Sequence, residues 1–267
     1  MTCKLIAADL DGTLRAEQQP FTPRLRDAVR RAQKRGVRVV IATGRMYRTA
    51  VSFARDLGLK SAIICDHGAT IRDVESGEIL FQKTVPLDLA REVIGRVSDD
   101  LTVLVCLEEE FYTPRLSANA TDFVGSYRDH LHVVPDLARS LRGEPQKILL
   151  VNEESVTASL FVELKIRFGE ALQVVQSFPK YVELTHREVS KGNAVAWLAS
   201  HWGIARNEVM AMGDYDNDRS MIEWAGLGVA MGNAIDSVKA LADFVAPRAD
   251  EDGAAAVIEK FVLDADG

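Results

Sequence analysis

The strongest constraint on the fold is a set of short strand-like runs that are apolar on both faces. "KLIAAD" (4–9) and "VRVVIAT" (37–43) do not alternate between polar and apolar residues. A strand with one face in water alternates, whereas a continuously apolar one needs cover on both sides, as parallel sheets get from their crossover helices. The segments between the runs supply that cover. "TPRLRDAVRRAQKRG" (22–36) places Leu25, Val29 and Ala32 on one helical face, with Gly36 as terminator, and "RMYRTAVSFARDLG" (45–58) leads to the strand "SAIIC" (61–65). The end of the chain repeats the theme, with helix "SKGNAVAWLASHWG", strand "EVMAMGD", helix "NDRSMIEWAG", strand "GVAM", helix "AIDSVKALA", strand "DFVA" and helix "DGAAAVIEKFV". The expected core is a doubly wound parallel α/β sheet.

Between the two ends the character changes. Residues 70–85, "TIRDVESGEILFQKTV", read as a hairpin turning at Glu75-Ser76-Gly77. From Leu87 to Thr185, helices ("LDLAREVIGRV", "SVTASLFVELKIRFG") mix with alternating strands ("TVLVCL", "KILLVN", "LQVVQS", "YVELTH"). The reading is an α/β core formed by residues 1–84 and 187–267, interrupted by an inserted α+β domain at 85–186.

Charge and composition narrow the function classes. A net charge of −7 argues against a general affinity for nucleic acid or anionic lipid, both of which need a basic surface. The apolar runs fall far short of the roughly 20 residues that span a bilayer, and "MTCKLIAADLDG" has no signal-peptide core. Cys3, Cys65 and Cys106 are scattered and form no CxxC pair, which fits reduced thiols in a cytoplasmic protein rather than a zinc site.

Four segments carry chemistry. In "DLDGTL" (9–14) an apolar strand runs into Asp9 and Asp11, with Gly12 allowing a sharp turn and Thr13 adding a hydroxyl. Open α/β sheets bind ligands beyond the carboxyl ends of their strands. Two carboxylates that close repel unless a cation compensates, and hard oxygen donors suit Mg²⁺. A solvated turn is the plainer alternative. In "VVIATGRM" (39–46), Thr43 stands where a strand gives way to a helix, so the expectation is an N-cap with free N–H groups at Gly44 and Arg45, suited to an anion. In "REVSKGNAVAWLA" (187–199), Ser190 as N-cap puts Lys191 at the first helical position, where a cation opposes the helix dipole; an anionic neighbour would explain it, and a surface lysine in solvent is the plainer alternative. "VMAMGDYDNDRSMI" (209–222) brings another strand to Asp214, Asp216, Asn217 and Asp218. Neither acidic segment is a calcium loop, since Gly12 comes too early with Pro20 at the glutamate position, and Arg219 replaces the required glycine. Together the four would converge on one crevice, a set that fits phosphoryl transfer, which must hold and neutralise a dianion. "GLGVAMG" (226–232) is no dinucleotide fingerprint, because its third glycine comes one place late.

In this order "DLDGT", "TGR", "SKG" and "GDYDND" resemble the four motifs of the haloacid dehalogenase-like superfamily. The likeness is closest to its Cof-type phosphatases with a class IIB (type C2B) cap, and "AGLGVAMGNA" (225–234) and "DEDGAAAVIEKF" are similar as well. The resemblance implies a Mg²⁺-dependent phosphomonoesterase acting on small phosphorylated metabolites, such as sugar phosphates, through an aspartyl-phosphate. It implies Asp9 as nucleophile and Asp11 as general acid and then base. Thr43, Gly44 and Lys191 would bind the phosphate. Asp214 would hold Mg²⁺ beside the Asp9 carboxylate and the Asp11 backbone carbonyl, with Asp218 supporting the metal. Asn217 would fix Lys191 or the phosphate, and Arg45 and His67 are candidate substrate contacts.

The sequence departs from the family at "CDHGAT", where His67 replaces the usual asparagine before Gly68-Ala69. His130 and His132 alternate on one strand face, but no third ligand is evident and no metal is assigned to them. Three alternatives stay open. One is a phosphomutase on the same scaffold. Another is a receiver-like signalling domain, although those are about half this length and carry an adjacent acidic pair. The third is a catalytically idle regulatory protein that retains the fold. Candidate reaching groups for specificity lie in "FYTPRLSAN" (111–119) and "FPKYVELTHRE" (178–188).

Overall fold

A computed structural model describes residues 2–97, 101–116 and 127–264, so residues 117–119 of the first reaching segment lie outside the described residues. In chain order it begins β1 (Leu5–Ala8), α1 (Pro23–Lys34), β2 (Arg38–Ala42), α2 (Tyr47–Asp56), β3 (Ala62–Cys65), β4 (Thr70–Asp73) and β5 (Ile79–Gln82). There follow α3 (Leu87–Ile94), β6 (Thr102–Leu107), β7 (Glu110–Thr113), β8 (Leu131–Val133), β9 (Lys147–Val151), a helix at Glu154–Phe168, β10 (Leu172–Phe178) and β11 (Tyr181–His186). The last part has a helix at Lys191–His201, β12 (Val209–Gly213), a helix at Arg219–Trp224, β13 (Leu227–Ala230), β14 (Phe244–Val245) and a helix at Gly253–Ile258. These elements form two compact units, Met1–Phe81 with Ser190–Gly267, and Gln82–Val189. No helix among the described residues is long and apolar enough to cross a membrane.

The first unit is built on a sheet of order β14-β13-β12-β1-β2-β3-β4-β5. Pairing is parallel from β14 to β3, and β4 is antiparallel to β3. The two-sided apolar pattern is used as expected. Ile6, Ala8, Val39 and Ile41 face one core with Leu25 and Val29 of α1, Ala50 and Val51 of α2, and Val257. Leu5, Ala7, Val40 and Ala42 face the other with Val195, Leu198, Met221 and Ile222. From β1 the chain winds one way to β2 and β3, and later the other way through β12 and β13. The carboxyl ends of β1 and β12 therefore form the topological switch point, where doubly wound sheets open a crevice.

The hairpin after β3 turns where expected. Its corner is an Asx turn, in which Asp73 Oδ1 accepts backbone N–H bonds from Glu75 (3.0 Å) and Ser76 (2.7 Å). These N–H donors, Ser76 first among them, hold the Asp73 carboxyl below its ordinary pKa.

The second unit is a six-stranded sheet of order β10-β11-β9-β6-β7-β8. Val103, Val105, Ile148, Leu150, Val182 and Leu184 meet Leu164 and Phe168 of the helix Glu154–Phe168 in its core. The sequence gives no sign of β7, because the preceding turn lacks glycine and asparagine. Glu108 and Glu109 adopt positive φ (51° and 66°) there, a conformation rare for glutamate.

One local expectation fails. Thr43 is not a helix N-cap, since α2 begins four residues later and its N-cap is Met46. The backbone stays extended at Met46, whose side chain is fully buried, and the Thr43 hydroxyl instead accepts the Arg45 N–H (3.2 Å) within the loop.

All three tryptophans, Trp197, Trp202 and Trp224, belong to the first unit, so tryptophan fluorescence reports on it alone. Ile41 is fully buried. Ile41→Ala is expected to lower the stability measured by tryptophan fluorescence in urea by about 2–5 kcal/mol, the range for a buried large-to-small change.

Candidate active site

The strand tips bring the acidic segments together. Asp9 follows β1 and Asp214 follows the neighbouring β12, and the Asp9 N–H donates to Met212 O (3.0 Å) as the ladder ends. Ligand atoms of Asp9, Asp214 and Asp218 lie within 4.8 Å of one another. Lys191 enters from the first turn of its helix, where the Ser190 hydroxyl caps Asn193 N–H (3.1 Å). Its ammonium donates to Asp9 Oδ1 and Asp218 Oδ1, each at 2.6 Å, and its side chain is 0 % exposed. The anionic neighbour that a lysine at a helix N-terminus asks for is thus a pair of carboxylates. Asp218 is itself anchored, because its Oδ2 accepts the backbone N–H groups of Asp214 (2.9 Å) and Tyr215 (3.1 Å).

This cluster holds more negative charge than one ammonium balances. Burial pushes Asp9 up to about 7 against the pull of Lys191, with Asp218 and Asp11 adding to the rise. Burial likewise pushes Asp214 up to about 8, followed by repulsion from Asp9 and Asp218. Burial works against the charge on Lys191, yet Asp218 and Asp9 outweigh it and hold its pKa above the ordinary value. Closely set, acid-weakened carboxylates with an all-oxygen donor set fit a hard divalent cation, so Asp9, Asp214 and Asp218 could hold one.

The other predicted residues form a second layer of contacts linking the loops. Asp11 Oδ2 accepts from Arg45 Nε at 2.7 Å, and Arg15 Nε lies 3.6 Å from Oδ1. Both guanidiniums stack over the Phe53 ring. The side chain of Asp11 therefore faces cations, not the carboxylate cluster. His67 is buried with φ +58°, a left-handed conformation that Asp, Asn and His tolerate better than most residues, and Asp66 shares it. Histidine meets that backbone demand. The ring lies against Gly44, where an added Cβ would come within 2.3 Å of His67 Cε1. Asn217 also departs from its expected partners. Its Nδ2 meets His67 Nδ1 at 3.2 Å, while Lys191 is engaged by Asp9 and Asp218.

One contributor to the site was not singled out from the sequence. Asn233, past the end of β13, donates from Nδ2 to Gly12 O (2.8 Å) and approaches Asp214 Oδ2 (3.4 Å), while its Oδ1 accepts from Ala249 N–H (2.9 Å). The available signal was its place just beyond a strand at the same sheet edge. Gly12 has φ +82°, and an added Cβ would sit 2.3 Å from Asp214 Oδ2, so the close approach of these two loops requires glycine.

The sign of the pH dependence follows from Asp9 and Asp214. Their native pKa values are raised above the ordinary 3.8, so between there and about 8 the native state holds protons that the unfolded chain has released. The metal-free protein should lose thermal stability as pH rises through that window. Mg²⁺ should restore more of it at the alkaline end, and Asp214→Asn should flatten the profile. Differential scanning fluorimetry across pH, with and without Mg²⁺, checks this.

Residues 6–258 match the family of haloacid dehalogenase-like hydrolases. Phosphatase YwpJ of Bacillus subtilis is 32% identical over 278 residues, covering 94% of this chain and 97% of that protein. The 5-amino-6-(5-phospho-D-ribitylamino)uracil phosphatase YcsE of the same organism is 31% identical over 261 residues, covering 97% and 96%. The crystal structure of a haloacid dehalogenase-like hydrolase from Bacteroides thetaiotaomicron superposes with a TM-score of 0.85 at 31% identity, covering 97% of this chain and 99% of that one. With the strand order, the convergent acidic tips and a match over nearly its whole length, the chain belongs to the haloacid dehalogenase-like hydrolase family.

Proposed function

We propose that this protein is a Mg²⁺-dependent phosphomonoesterase that hydrolyses small phosphorylated metabolites, sugar phosphates among them, through a phosphoryl group carried on Asp9. The observation that supports this most is the fully buried Lys191 ammonium bridging Asp9 and Asp218 beside Asp214. A desolvated cation among carboxylates, at the switch point of a doubly wound sheet, suits a site built to hold a dianion. The substrate class draws on the relative YcsE, whose named substrate carries a single phosphate on a ribityl chain.

In this reading Lys191 holds Asp9 Oδ1, which leaves Oδ2 to attack phosphorus. The ester P–O bond breaks and the departing alkoxide takes a proton from Asp11. Asp11 then accepts a proton from water as the water oxygen attacks phosphorus. The bond from phosphorus to Asp9 breaks, releasing inorganic phosphate and restoring the Asp9 carboxylate and the acid form of Asp11. The Thr43 hydroxyl and Gly44 N–H, with Lys191, bind the phosphoryl oxygens. Asp9, Asp214 and the Asp11 carbonyl would hold the cation, whose charge offsets that of the phosphoryl group.

Arg45 occupies Asp11 Oδ2, so in this reading substrate charge draws Arg45 away before Asp11 takes part in proton transfer. His67, fixed by Asn217, and Arg45 are the candidate contacts to the leaving group. Residues 85–186 are assigned as the cap that selects the substrate. The scattered cysteines are in keeping with a cytoplasmic setting.

A panel of phosphorylated metabolites assayed with Mg²⁺ tests the activity, and no turnover of any ester would overturn it. Asp9→Asn is expected to lower kcat by more than about 10³-fold with the fluorescence melt preserved. Retained activity would remove Asp9 as the nucleophile.

A further inference from the structure

His130 and His132 lack a third ligand in the sequence, and the fold supplies one. β7 and β8 pair in parallel with Phe111 opposite Leu131 and Tyr112 opposite His132. Glu110 opens β7, and His130 closes the 3-10 turn Arg128–His130 that leads into β8, so the two histidines do not alternate along one strand as the sequence suggested. Glu110 meets both: His130 Nδ1 lies 3.3 Å from Glu110 Oε1, and His132 Nε2 lies 2.9 Å from Glu110 Oε2. Tyr112 stacks on the His132 ring with centroids 5.1 Å apart and planes 25° apart, which fixes the plane of the imidazole.

We propose that Glu110, His130 and His132 form a binding site for a divalent transition ion of the zinc class, separate from the acidic cluster of the other unit. Two imidazole nitrogens and one carboxylate suit borderline-soft ions, whereas Mg²⁺ prefers oxygen donors and its own water. The glutamate already meets both imidazoles, so chelation asks only that the side chains turn toward a shared ion. In the present arrangement the carboxylate spans the rings, with one oxygen to each. The side chains are 23 % (Glu110), 25 % (His130) and 49 % (His132) exposed, which leaves room for them to close on an ion while water completes its coordination. The stacked Tyr112 orients a ligand ring in the way that outer groups do in established metal sites.

The test uses the full chain, stripped with a chelator and then saturated with Mg²⁺ so that a hard ion occupies the acidic cluster. Zn²⁺ is titrated by calorimetry while the imidazole Cε1–H signals of the five histidines are followed by NMR. The expected result is one saturable equivalent that shifts two signals together, those lost in His130→Asn and His132→Asn. The double variant should abolish the event, and Glu110→Gln should weaken it by about tenfold or more. The proposal is overturned if no saturable event occurs, if the shifted signals belong to His67, His186 or His201, or if Glu110→Gln binds as tightly as the original chain. The wild-type signal pattern decides by itself should the double variant fail to fold.

Discussion

The site depends on one buried interaction, the Lys191 ammonium shared by Asp9 and Asp218 with no solvent contact. An isolated ammonium could not remain charged at that depth, and without it the buried carboxylates would lose their cationic partner. The arrangement needs β1 and β12 as neighbours, a helix starting beside their tips, and a capped first turn that aims the lysine inward. The doubly wound topology brings all three to the switch point, so the central electrostatic contact is a consequence of strand order.

Around that contact the loops are tied by side chains. Arg45 links the loop after β2 to Asp11, Asn217 links the loop after β12 to His67, and Asn233 links the loop after β13 to Gly12. Each is an ordinary hydrogen bond worth about 0.5–1.5 kcal/mol, more where a charge takes part. Their effect is positional. They hold several strand tips in register with one another while placing Asp66 and His67 in a left-handed conformation that histidine and aspartate accept. Strain of this kind gathers at sites where surrounding contacts over-determine the backbone.

The two units offer donor sets of contrasting hardness. The first gathers oxygen atoms around a buried cation, with pKa values that register excess negative charge. The second sets two imidazoles and a carboxylate together at the start of β7 and β8, next to an aromatic ring. Ions that compete for one set are poorly matched to the other, because preference follows ligand softness and count.

Much of this protein was legible from residues alone. Runs apolar on both faces could only be buried parallel strands, and carboxylates at their ends had to meet beyond the sheet, because periodicity and local chemistry are properties of neighbouring residues. The lysine at a helix start announced its need for an anion in the same way. Only the tertiary structure decided which anions they were, that Asn217 serves His67, that Asn233 joins the site, and that Glu110 stands between two histidines. It also showed that Thr43 closes a loop turn where a helix cap was expected, and that two glutamates make the turn into β7. These are contacts between residues 20 to 221 positions apart, or conformations imposed by packing. Such pairings carry no periodic signature, since they exist only once the strands have taken their order.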